Sequence, residues 1–277
     1  MARALLSGLL AAGGTALARR GADVVVRPSD AADGRWTRTN HRGAPISLLE
    51  GPAVGVGLLA GAVACPGRLA AATALAGAGG LAFGLVDDLA EDTRRARKGL
   101  RGHLGALVHG ELTTGGLKVL GIGASATLAS AVLTGRPSRG TVRWVVEVLT
   151  GGALVAATAN LVNLLDLRPG RALKAVGIAA APTLLGAGAP AGAAVLGAAA
   201  AALPRDLAER DMLGDGGANA LGAGLGVAVL ASTGPRARLA LLAGAVALTV
   251  ASEKVSFSEV IARTPGLREL DAWGRRA

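Results

Sequence analysis

Residues 142–166, VRWVVEVLTGGALVAATANLVNLLD, decide what kind of protein this is. Beyond Arg143 and Glu147, which pair at helical spacing, the stretch carries no charge until Asp166. It is long enough to cross the hydrocarbon core of a bilayer, which takes about 20 apolar residues in a helix. Working outward in both directions, further apolar runs cover 4–18, 51–64, 69–86, 115–133, 172–188, 191–203, 217–232 and 239–251. The 277 residues are 51% hydrophobic and 17% charged, with a mean hydropathy of +0.49. A globular domain carries about 25% charged residues. Nine spans of about 20 residues would use about 180 positions and leave only short loops, which excludes a separate soluble domain. The expected fold is all-α, a polytopic membrane helix bundle of about nine transmembrane helices. It forms a single integral membrane domain over 1–277, with a cytoplasmic amphipathic tail at 253–277.

The runs are built from Ala, Gly, Leu and Val. Small residues let helix backbones approach closely where no hydrophobic force drives association in lipid. With no Tyr, three Trp and two Phe, the usual interfacial aromatic belt is nearly missing, so Arg and Lys must set the orientation. If nine helices alternate, Arg3, Arg68, Arg136, Arg139, Arg143, Arg236 and Arg238 fall on one side and the other 22 of the 29 bases on the opposite side. The positive-inside rule then puts the N-terminus outside and the tail in the cytoplasm. The first twenty residues also resemble a signal peptide ending at Ala16-Leu17-Ala18. Cleavage there would send the basic segment 19–50 outside and break the pattern, so an uncleaved helix is expected. Every one of the 19 acidic residues except Glu147 shares the cytoplasmic side, as do His41, His103 and His109. Cys65 is the only cysteine, so neither an intrachain disulfide nor a cysteine-rich metal site can form.

Four constellations sit at that side, each with a plain alternative. Gly84-Leu85-Val86-Asp87-Asp88 puts two carboxylates at a helix C-terminus, where the macrodipole and mutual repulsion both oppose them. Either Arg94 and Arg95 neutralise them, or they serve a divalent cation or act as a general base near a phosphate. Asn160, Asn163 and Asp166 recur at intervals of three and share one helical face, as interhelical hydrogen bonds or as a site. Met212-Leu213-Gly214-Asp215-Gly216-Gly217-Ala218-Asn219 opens a helix. Asp215 is a simple N-cap there, or the glycine N–H groups meet phosphate while Asp215 holds its metal. The basic loop 94–103 sets topology and binds anionic lipid, with Lys98 the candidate for a substrate phosphate; His103 and His109 are weak candidates.

The order and common side of these motifs resemble the polyprenyl-phosphate phosphoglycosyl transferases. That superfamily includes phospho-N-acetylmuramoyl-pentapeptide transferase and the UDP-N-acetylglucosamine:undecaprenyl-phosphate transferases. The likeness covers about 40–219. It implies that Asp87 and Asp88 are the pair near the lipid phosphate and Lys98 the loop lysine. It likewise makes Asn160, Asn163 and Asp166 the helix-five set and Asp215 the Mg²⁺ ligand. Arg168 and Arg171 would offset phosphate charge beside Gly214 and Gly216. The chain departs from the family after Asp166, where Leu167-Arg168-Pro169-Gly170-Arg171 replaces Gly-x-Asp-Gly, and after Asp215, where Gly216-Gly217-Ala218 replaces Thr-Gly-Ser. The His-rich loop after helix nine and the tenth helix are absent. Instead Thr264 as N-cap and Pro265 at N1 lead Leu267, Leu270 and Trp273 at spacing three, an expected amphipathic surface helix.

The resemblance implies transfer of a sugar 1-phosphate from a UDP-sugar to a polyprenyl phosphate at the cytoplasmic face of the plasma membrane, with Mg²⁺ as cofactor and UMP released. The acceptor monoester is mostly dianionic at neutral pH, so positioning and charge neutralisation are the main task. Partners are then the lipid and the UDP-sugar, not nucleic acid, and a homodimer is compatible. The departures motivate the alternative of a catalytically silent relative that binds polyprenyl phosphate or scaffolds envelope-synthesis partners. A small-solute transporter finds no charged path through the helices.

Overall fold

The computed structural model describes residues 1–26, 34–40, 42–90, 114–137 and 140–276. Most of these residues are helical, and one small hairpin is the only sheet among them. In chain order come α1 (Ala2–Val25), β1 (Thr37–Thr39), β2 (Pro45–Ser47), α2 (Glu50–Val63), α3 (Gly67–Ala90), α4 (Thr114–Thr134) and α5 (Thr141–Leu165). They are followed by α6 (Arg171–Ala180), α7 (Ala189–Leu207), α8 (Gly214–Ser232), α9 (Pro235–Ser252), α10 (Phe257–Arg263) and α11 (Leu267–Ala272). Each of the nine apolar runs contains an α-helix. Four of them, α3, α4, α5 and α9, are long and apolar enough to cross a membrane.

Helix α8 is the hub. Nearly all of its residues from Gly214 to Val227 are buried, and it packs against α3, α5, α2 and α7. Its long contact with α3 exists because α3 offers glycines at spacing four: a Cβ on Gly80 would lie 2.5 Å from Asn219 O, and one on Gly84 2.4 Å from Asp215 O. Helix α9 is the opposite case, with Ala245 its only buried residue. Leu239, Leu241, Leu248 and Val250 face outward, as a lipid-exposed helix requires.

Several boundaries depart from the sequence reading. Helix α1 continues past residue 18 to Val25 because Arg19 is neutralised: its guanidinium donates to Asp211 and Asp23. The run 172–188 is α6 followed by a tighter 3₁₀ segment, Ala181–Leu185, where Pro182 removes a donor. The hairpin was not expected; its register pairs Arg38 with Ile46, and Ser47 bridges to Asp211. The tail is not one helix capped by Thr264 and Pro265. Gly266, at φ +83°, separates α10 from α11, and Glu269 accepts its N–H. Ser256 caps α10. The tail is tied down by polar contacts. Lys174 Nζ donates to the carbonyls of Leu270, Asp271 and Trp273, and Arg275 to Pro169 O, while Trp273 remains 66% exposed.

Candidate functional site

The polar ends of α3, α4, α5, α8 and α9 converge. The pair at the end of α3 is split between two tasks. Asp88 turns toward α8, and its carboxylate accepts from the backbone N–H of Asp215 at 3.0 Å and of Gly216 at 2.8 Å. Asp88 thus caps a neighbouring helix, and Asp215 is not itself an N-cap. The arrangement answers the charge problem of the sequence. A carboxylate opposed by the dipole of α3 is moved to the positive end of α8, where it is worth up to about 2 kcal/mol when partly buried. Gly214, at φ +64°, has no room for a side chain: a Cβ would lie 2.8 Å from Leu48 and 3.1 Å from an Asp88 oxygen. Arg38, delivered by the hairpin, donates to the backbone carbonyl of Asp88.

Asp87 turns the other way. Its Oδ2 lies 2.5 Å from Lys118 Nζ on α4, and the same ammonium donates to Asp215 Oδ2. Lys118 therefore bridges two carboxylates, the position a metal would take between them. Among the described residues no group of three or more His, Cys, Asp or Glu side chains forms a metal cage. The donor set that is present, two carboxylates able to share one cation, matches how Mg²⁺ binds when substrate phosphates supply further oxygens. Asp166, just beyond α5, completes the acidic group. Burial first, and then Asp206 and Asp215, push its carboxyl well above the usual carboxylate range, while a backbone hydrogen bond from Gly214 opposes them.

An apolar groove of about 250 Å³ leads away from Lys118 between α4, α5 and α9. Val119, Ile122, Ala156, Ala157, Val246 and Val250 line its length; Lys118, Asn160, Asn163, Asn219 and Thr249 supply its polar groups. Asn160 Nδ2 donates to Thr249 Oγ1 at 3.1 Å, joining α5 to α9. A more open trough along α9 from Leu239 to Lys254 shares Val246 and Val250 with it.

The structure thus gathers Asp87, Asp88, Asp166, Asn160, Asn163, Gly214, Asp215 and Gly216 at one place. Arg168 is exposed on the loop after α5. Arg171 is buried elsewhere: its Nε and Nη2 donate to Asp271 at 2.8 and 3.0 Å and its Nη1 to Ser258 at 2.8 Å, so it holds the tail. Lys98, His103, His109, Arg94 and Arg95 lie outside the described residues. Lys118, which pairs with both Asp87 and Asp215, is not among the residues the motifs single out. Its signal was in the sequence, a lone charge four residues inside an apolar run, where a charge in a spanning helix marks a site by default.

No known protein family matches this chain, and no curated protein does either.

Proposed function

We propose that the chain is a membrane phosphoglycosyl transferase that moves a sugar 1-phosphate from a UDP-sugar to a polyprenyl phosphate at the cytoplasmic face of the plasma membrane. In this reading nine helices cross the bilayer, with the N-terminus outside. The observation that carries it is the groove: an apolar trough on lipid-facing helices that ends on an ammonium and a row of Asn side chains, directly beside a set of carboxylates. An isoprenoid tail fits the first part, and a terminal phosphate the second.

The residues then divide the work. Lys118 and the Asn160 and Asn163 amides bind the acceptor phosphate and aim one of its oxygens at the β-phosphorus of the sugar nucleotide. That P–O bond forms as the α–β anhydride breaks, and UMP leaves with the anhydride electron pair. Asp87 orients Lys118. Asp88 fixes the first turn of α8 and so the placement of Asp215. Asp215 and Asp87 would hold Mg²⁺, whose charge, when bound, offsets that of the UDP phosphates. Arg171 has no part in this scheme because it is committed to Asp271.

A silent, lipid-binding relative is the second reading, favoured by Lys118 already lying where a cation would bridge Asp87 and Asp215. One assay separates the two. Purified protein in detergent with Mg²⁺, polyprenyl phosphate and a panel of UDP-sugars should release UMP, and Asp87→Asn and Asp215→Asn should abolish release. Saturable binding of polyprenyl phosphate with no UMP from any sugar would establish the silent reading instead.

A further inference from the structure

Lys118 makes two contacts that cannot persist beside a divalent cation on the same carboxylates. Its Nζ lies 2.5 Å from Asp87 Oδ2 and donates to Asp215 Oδ2, the pair assigned above to Mg²⁺. A cation bridging those oxygens needs the place the ammonium holds, and two positive centres that close repel strongly where water is scarce. The Lys118 side chain is only 18% exposed, so it does not simply retire into bulk water.

The structure offers it one other station. Lys118 also lines the groove between α4, α5 and α9, so rotation of its flexible stem carries the ammonium from the carboxylates into the groove while α4 stays in place. The other polar side chains of that lining, Asn160, Asn163, Asn219 and Thr249, are all uncharged. A displaced ammonium therefore meets amides and apolar walls but no anion, and a charge in such a place needs one. We propose that Lys118 is a two-station switch: it is the built-in counter-cation of Asp87 and Asp215, and on displacement by a divalent cation it becomes the acceptor-phosphate site in the groove. Cation and acceptor phosphate then bind cooperatively, because each stabilises the same position of one side chain. The switch rests on the reading that Asp87 and Asp215 take the metal, but it requires neither a UDP-sugar nor turnover.

Titration of the purified full chain in detergent with Mn²⁺ tests it, since Mn²⁺ takes the same oxygen ligands as Mg²⁺ and its free-ion EPR signal is lost on binding. The titration is run with and without polyprenyl phosphate, and with no nucleotide. In the wild type the lipid should tighten Mn²⁺ binding about tenfold, a coupling of ordinary size. Lys118→Met should bind Mn²⁺ more tightly than wild type without lipid, because no ammonium competes, and should lose the coupling. A measurement on the wild type alone serves if that variant misfolds. Acylation of Lys118 by an N-hydroxysuccinimide ester, followed by mass spectrometry, should run severalfold faster with Mn²⁺ and slow again when polyprenyl phosphate is added. Mn²⁺ binding indifferent to the lipid, a folded Lys118→Met that keeps the coupling or binds Mn²⁺ no better than wild type, or acylation unaffected by Mn²⁺ would each overturn the switch. UMP release plays no part in these readouts, so the switch can fail in an active transferase and hold in an inactive chain.

Discussion

Lys118 touches both Asp87 and Asp215, so the charge balance of the polar end turns on one side chain. Lys118→Met leaves two carboxylates facing each other and removes the cation on the acceptor phosphate. UMP release should fall at least about 100-fold, the scale of losing one preorganised charge-stabilising donor. The carboxylates away from the helices respond to pH with opposite signs. Burial raises Asp211, but the guanidinium groups of Arg19 and Arg205 outweigh it and hold the carboxyl below its ordinary range. A lowered pKa contributes stability that is present above the unfolded value of about 3.9 and lost as pH falls through the folded one. Thermal unfolding in detergent should therefore show an acid loss of stability below about pH 4 that Asp211→Asn removes. That variant should also lower stability at neutral pH, because it removes one of the two carboxylates that neutralise the buried Arg19 and leaves only Asp23. Asp166 runs the other way. Its raised pKa gives stability that is full below the unfolded value and lost as pH rises through the folded one. Asp166→Asn should then melt higher than wild type at pH 7, with a smaller gain at pH 4.

At the scale of elements, the seam between α3 and α8 sets the site because it brings Asp88 to the α8 N–H groups. Gly84→Val places a side chain where a single Cβ already lies 2.4 Å from Asp215 O, so the helices must separate. Overpacking of this kind costs about 1–3 kcal/mol in a tight core, and here it should also abolish UMP release. Gly13→Ala, with nothing within 4 Å of the new Cβ, is the matched control and should melt at or above wild type. The helices themselves were legible in the sequence, because apolar runs ending in charge or Pro define them. What the runs could not show was partnership between elements. For Asp88 the sequence offers loop arginines, a divalent cation or a phosphate, none of which anticipates the backbone N–H groups 127 and 128 residues away from which it accepts. Arg171 was read with the phosphate site because it follows Asp166 closely, yet Asp271 of the tail, 100 residues on, claims it. The tail break at Gly266 was hidden behind an attractive Thr-Pro helix start.

For the whole molecule, the one-sided charge distribution expected for nine crossings is matched by where the ion pairs lie. Arg19 with Asp211, Lys118 with Asp87 and Asp215, Gly170 with Asp206 and Arg171 with Asp271 all join helix ends at the same pole. Among the described residues these buried and half-buried charges are committed to one another at that pole. With nine crossings a reporter fused after residue 276 should appear in the cytoplasm, and one placed between α4 and α5 outside; the reverse would refute that topology. The central claim is the transfer itself, and the most direct measurement follows the phosphorus. Purified chain is incubated with Mg²⁺, polyprenyl phosphate and UDP-sugars labelled with ³²P at the β-position. Label should pass into the organic-extractable lipid with one equivalent of UMP, and Asp215→Asn should stop both. Label that stays in the nucleotide for every sugar, or leaves as water-soluble phosphate, would contradict it.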